Sequence, residues 1–155
     1  MRRAIALAKG GESGPGLGPI GCVIVRDCVV LGEGCNEAEA RHDPTAHAEI
    51  VAIRRASAAG CTTALRGATL YTTLQPCGMC SMASIWARIG RIVYGAGRGD
   101  VHAMYFEGRH LDTVDFISDA FRDDLLLTGG VLAQECAELY YAPGAHVPRS
   151  ELTNV

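Results

Sequence analysis

Residues 68–94 read ATLYTTL (68–74), QPCGMC (75–80), SMASIWARIG (81–90) and RIVY (91–94). The first block is rich in β-branched and aromatic residues and reads as a strand. Pro76 opens a helix to about Ile89, with Met79, Met82, Ala83 and Trp86 on one face, and Arg91–Tyr94 reads as the next strand. Strand, helix and strand in succession are the start of an α/β fold.

Upstream, D-P-T-A-H-A-E occupies 43–49. Asp43 is suited to cap a helix and Pro44 to its first position. The helix they would open runs to about Ala59, with Ala46, Ile50, Ile53 and Ser57 at helical spacing and Gly60 as its stop. Before it, residues 2–9 read as a helix, 10–19 as a Gly/Pro loop, and 21–26 and 28–34 as two strands joined at Asp27; 35–43 is irregular. Downstream, 95–108 is glycine-punctuated, 112–127 includes a helix, 131–141 is a helix or mixed segment, and the tail after Pro143 reads as loose. There is no repeat, linker or composition break, so 1–155 is expected to be one domain. Its sheet should carry helices on both faces, and the opening hairpin makes that sheet mixed.

Composition narrows the partners. Of 155 residues, 48% are apolar and 20% charged, which excludes a disordered or coiled-coil chain. No run approaches the ~18 apolar residues of a membrane span. The N-terminus, with Arg2 and Arg3 before a short apolar run, reads as an amphipathic helix and not an export signal, so a cytoplasmic location is expected. Fourteen basic residues against seventeen acidic give −3, and Lys9 is the only lysine. Without a basic run, a nucleic-acid partner is not expected and a small substrate is. The loop Gly14-Pro15-Gly16-Leu17-Gly18 lacks the Lys-Ser/Thr ending of a phosphate-binding loop and precedes a strand, so it reads as a lid or edge loop.

Of seven cysteines, Cys22, Cys28, Cys35 and Cys136 lie in apolar or strand-like segments and read as small core residues. Cys77 and Cys80 differ. They form a Cys-x-x-Cys at a helix start, where unpaired N–H groups and the helix dipole favour thiolates. His47 also stands at an expected helix start. One imidazole and two thiolates are a zinc set with a fourth position open to water. Glu49 follows His47 by two residues, about 200° round an ideal helix, so spacing alone does not bring it to the same metal. Two alternatives stand beside this reading: a Cys77/Cys80 redox pair, and a closed structural zinc site with His42 as fourth ligand.

His47-Ala48-Glu49 and Pro76-Cys77-x-x-Cys80, thirty residues apart from His47 to Cys77, resemble the zinc-dependent cytidine deaminase superfamily. Within it, D-P-T-A-H-A-E, A-I-R at 52–54 and P-C-G-M-C followed by I-W-A-R at 85–88 are most similar to bacterial guanine deaminases. The resemblance implies a three-layer α/β/α sandwich around a mixed five-stranded sheet, and a homodimer. It implies zinc on His47, Cys77 and Cys80, with Glu49 as the catalytic proton carrier. Asn36, eleven residues before His47, would hold the ring edge, with backbone near Ala48 and Gln75 assisting and Trp86 matching the family's helix aromatic.

The implied reaction is hydrolytic deamination of an amino-substituted nucleobase, with guanine or a related purine expected. The alternatives are tRNA adenosine and cytosine-type substrates. The acid that guanine deaminases turn to the purine falls on Gly108 here. Glu107 is the candidate substitute, with Phe106 stacking on the ring and Tyr140-Tyr141 capping the opening.

Overall fold

The computed structural model describes residues 1–12, 14–106, 113–119 and 124–152. Helix α1 (Arg2–Glu12) leads into a hairpin of β1 (Gly18–Arg26) and β2 (Val29–Asn36). Its two-residue turn, Asp27-Cys28, has φ of 51° and 62°. Two positive φ values match the twist of the flanking strands. Cys28 is therefore exposed at the turn, and not a core residue. After a four-residue helix, α2 (Ala38–Arg41), come α3 (Ala48–Gly60), β3 (Thr69–Leu74), α4 (Gly78–Trp86) and β4 (Arg91–Ala96). A 3₁₀ turn at Ala103–Tyr105 precedes α5 (Thr113–Ser118), β5 (Leu126–Thr128) and α6 (Ala133–Ala137).

The five strands order as β2-β1-β3-β4-β5. β1 runs antiparallel to both β2 and β3, while β3, β4 and β5 are parallel. The mixed sheet is thus the expected one. Apolar side chains fill both faces. Cys22, Ile24, Ala48, Ala52, Ala56, Leu70 and Ile92 join the α3 side; Ile5, Ala8, Cys136 and Leu139 form a second cluster about α1 and α6, which Leu74 and Ala96 join at the ends of β3 and β4. Close approach is bought with glycine: a Cβ at Gly21 would lie 2.0 Å from the Ala4 carbonyl oxygen of α1, and one at Gly32 2.5 Å from that of Ala52 in α3.

Three boundaries differ from expectation. Asp43 does not cap α3. Its Oδ1 accepts from the Thr45 N–H at 2.8 Å and the Thr45 hydroxyl at 2.6 Å, and its Oδ2 from Arg54 at 3.1 Å. Those partners, the Thr45 hydroxyl first, hold its carboxyl down at about 2. The result is a side-chain-closed turn, and α3 begins five residues later with His47 as N-cap. The segment 112–127 divides between α5 and the edge strand β5. The tail also has order, with Val147 buried and a 3₁₀ turn at Arg149–Glu151 tied to the Tyr141 hydroxyl, which donates to Glu151 at 2.6 Å. No helix among the described residues is long and apolar enough to cross a membrane.

Candidate active site

Two helix starts build the centre. His47 and Cys77 are the N-caps of α3 and α4, both with extended backbone and neither making a side-chain cap bond. A capping side chain ordinarily folds back onto the first turn's N–H groups; these two turn toward each other. The extended backbone also explains why the 200° argument fails. His47 stands outside the helical spiral, so Glu49, in the first turn, lies on the same side of the site.

His47 Nδ1 is 3.6 Å from Cys77 Sγ and 3.7 Å from Cys80 Sγ. The three donor atoms lie within 4.8 Å of one another. Zinc bonded at 2.0–2.1 Å to nitrogen and 2.3 Å to sulfur in a tetrahedron sets N and S roughly 3.5 Å apart, so the trio fits that ion. Hydrogen bonds from Cys80 and then His47 pull the Cys77 thiol down to about 5, against the upward pull of burial. Its bond to Cys77, and burial, push Cys80 up; a metal ion held by the two thiols would deprotonate them. His42 is not part of the cluster. It is exposed, at the left-handed end of α2.

Glu49 is one contact deeper, at 4% exposure. Its Oε2 lies 3.4 Å from Cys80 Sγ, and its Oε1 accepts the Thr72 hydroxyl at 3.0 Å. Burial first, and the charge of Cys77 second, raise its carboxyl. A carboxyl moved up toward neutrality is suited to both taking and giving a proton.

A cavity of about 470 Å³ opens beside His47, walled among the described residues by Gly16, Leu17, Gly18, Asn36, Glu39 and Tyr105 with their neighbours. The Asn36 Oδ1 accepts from the Ala38 N–H at 3.3 Å. The amide packs so closely on the loop that a Cβ at Gly18 would stand 2.9 Å from Nδ2. The glycine-rich loop is therefore cavity wall.

Other candidates fall elsewhere. Phe106 is 5% exposed and packs in the α1-side core beneath the Arg98 guanidinium, 4.8 Å from its ring; it is not available to stack on a substrate. The aromatic on the cavity wall is its neighbour Tyr105, which the sequence reading passed over. Trp86, at the end of α4, is 74% exposed, neither core nor cavity wall. Ala48 is wholly buried at the first position of α3, and its side chain is not among the described lining. Gln75 is buried, and its Nε2 donates to Thr113 at 2.9 Å. Tyr140 does not cap the opening: it is buried, its hydroxyl 2.6 Å from that of Thr73. Glu107 lies outside the described residues. Thr72 was missed altogether, because a threonine in a strand carries no signal beyond strand propensity.

Residues 1–96 match the cytidine and deoxycytidylate deaminase zinc-binding region. The chain belongs to that family. It is a zinc-dependent hydrolytic deaminase, and the trio's fit to a tetrahedral ion agrees. It is 39% identical over 142 residues to the tRNA-specific adenosine deaminase of Haemophilus influenzae, spanning 89% of this chain and 77% of that one. With the guanine deaminase of Bacillus subtilis it shares 41% over 108 residues, 69% of each chain. A solved structure from work on A-to-I editing by tRNA:A34 deaminases superposes with a TM-score of 0.75 at 35% identity, covering 90% of this chain and 96% of that one. With such relatives, the expectation of no nucleic-acid partner loses its footing.

Proposed function

We propose that the chain deaminates an amino-substituted purine, guanine or a related base, taken into the His47 cavity uncharged as base or nucleoside. Water is consumed, the amino group leaves as ammonia and the ring carbon becomes the oxo form. The observation that carries this is the cavity lining: the Asn36 amide, a donor and an acceptor for a ring edge, shares the wall with His47, and no lysine or arginine stands among the described residues there. His47, Cys77 and Cys80 hold the zinc. When bound, zinc supplies Lewis-acid activation of water at neutral pH. Glu49 takes the proton of the attacking water, passes it to the ring nitrogen beside the reacting carbon, and protonates the departing amine. Tyr105 offers an aromatic wall to a flat substrate. The reading treats 1–155 as one deaminase domain working as a homodimer, in which Trp86 is an aromatic for the interface to cover.

A second reading, adenosine in tRNA, is favoured by the reach of similarity. The Haemophilus influenzae relative and the tRNA:A34 deaminase structure align over about nine-tenths of this chain, and the B. subtilis guanine deaminase over 69%. Against it stand the −3 charge and the single lysine, since phosphate contacts supply most non-specific affinity for nucleic acid.

Ammonia release from zinc-loaded protein separates the two. The probes are guanine, adenine, cytosine, their nucleosides, and an anticodon stem-loop with adenosine at the wobble position. Release from guanine or another purine base or nucleoside, abolished by a chelator and restored by zinc, supports the first. Turnover confined to the stem-loop moves the function to the second. No release from any probe sinks both.

A further inference from the structure

We infer that Thr72 is a positioning residue for the deamination, fixing through its hydroxyl which oxygen of Glu49 faces the His47–Cys77–Cys80 trio. The inference rests on the reading of Glu49 as proton carrier, and adds to it a residue outside the motif.

The backbone of Thr72 is held on both sides. It pairs with Cys22 of β1 on one side and Tyr94 of β4 on the other, so its Cα is held from both directions in the central strand. Its side chain leaves on the same face as Leu70, two residues back, the face filled by Ala48, Ala52 and Ala56 of α3. Thr72 is 0% exposed there. Packing alone asks for no hydroxyl at such a place. Valine has the same shape and suits a strand at least as well, and a buried hydroxyl without a partner is costly. The partner is Glu49, whose Oε1 accepts from Thr72 at 3.0 Å.

The two oxygens of Glu49 are thereby made unequal. Oε1 is engaged by a donor anchored in the sheet, and Oε2 lies 3.4 Å from Cys80 Sγ, on the side of the trio. A hydrogen bond from a neutral donor to a carboxylate is among the stronger ones. It holds the carboxylate plane against rotation, which would swing Oε2 away from the water whose proton it takes. Proton transfer needs heavy atoms within about 2.6–3.2 Å, and a misplacement of about 1 Å costs on the order of 10²-fold. Thr73, next along the strand, points to the other face, where its hydroxyl meets Tyr140 and accepts from the Gly21 N–H. Adjacent threonines thus have separate partners, one structural and one facing the chemistry.

The test compares zinc-loaded wild type, Thr72→Val and Thr72→Ser, with guanine and the adenosine stem-loop as probes. Valine keeps the shape and removes the donor; serine keeps the donor. Thr72→Val should lose ~10–10²-fold in kcat, with KM within about twofold, while Thr72→Ser stays within about threefold of wild type. All three should carry one zinc per chain. Crystal structures of zinc-loaded wild type and Thr72→Val should show the Glu49 carboxylate turned in the variant. An unchanged kcat, a loss confined to KM, a serine variant as impaired as the valine one, loss of zinc from Thr72→Val, or an unmoved carboxylate each overturns the inference. If wild type releases ammonia from neither probe, the assignment of these substrates fails, and the crystallographic pair alone decides the role of Thr72.

Discussion

His47 and Cys77 show how one position serves both fold and chemistry. As N-caps they begin α3 and α4, yet their side chains leave the helix N–H groups and meet at 3.6 Å. The residue types and spacing were legible in the sequence, since imidazole and paired thiols at helix starts are chemically distinctive. The placement of Glu49 was not, because helical periodicity does not apply to an N-cap with extended backbone. Phe106 and Tyr105 make the same point in reverse: adjacent aromatics have indistinguishable local signals, and only packing decides which is core and which is wall. For Glu49 the expected outcome is specific. Glu49→Gln keeps the shape and the Thr72 contact but cannot carry the proton, so kcat should fall by ~10²–10⁴-fold with zinc content unchanged. Steady-state kinetics and elemental analysis on one preparation check this. Zinc lost together with activity would make Glu49 a ligand.

At the scale of elements, the central strands and the two site helices were legible because each is long enough for a period to register. Boundaries were harder. Asp43-Pro44 is a fair helix-start signal, but aspartate also closes turns through its own side chain, and here Thr45 and Arg54 engage it first. The three-residue β5 and five-residue α6 are too short to show a period and exist through tertiary contacts. The C-terminus of α3 offers a test of local energetics. Cys61 closes it at φ 47°, exposed and left-handed, a conformation that costs most residues but not glycine. Cys61→Gly should therefore stabilise the protein by about 0.5–1 kcal/mol, read as a higher urea midpoint with unchanged slope. A lower midpoint would show that the cysteine side chain contributes more there than the strain costs.

For the whole molecule, the sheet divides the interior in two, and the two sides are filled by different parts of the chain. The α3 side is closed largely by residues 22–92, and the α1 side needs Cys136, Leu139 and Tyr140 from the far end. Tyr140 also meets Thr73 of the central strand at 2.6 Å. Burying a leucine such as Leu139 is worth ~1.5–3 kcal/mol, against a net stability of about 5–15 kcal/mol. A chain ending at Ala133 should consequently lose its cooperative thermal transition and bind a hydrophobic dye. A sharp transition near the wild-type temperature would show that residues 134–155 are dispensable to the core. The same division bears on synthesis. While residues 136–140 are still inside the ribosome, the nascent chain lacks the Cys136, Leu139 and Tyr140 side chains that complete the cluster around Ile5, Leu74 and Ala96. During that interval the chain offers chaperones an apolar surface that the finished protein hides, and the emergence of residues 136–140 from the ribosome ends the exposure.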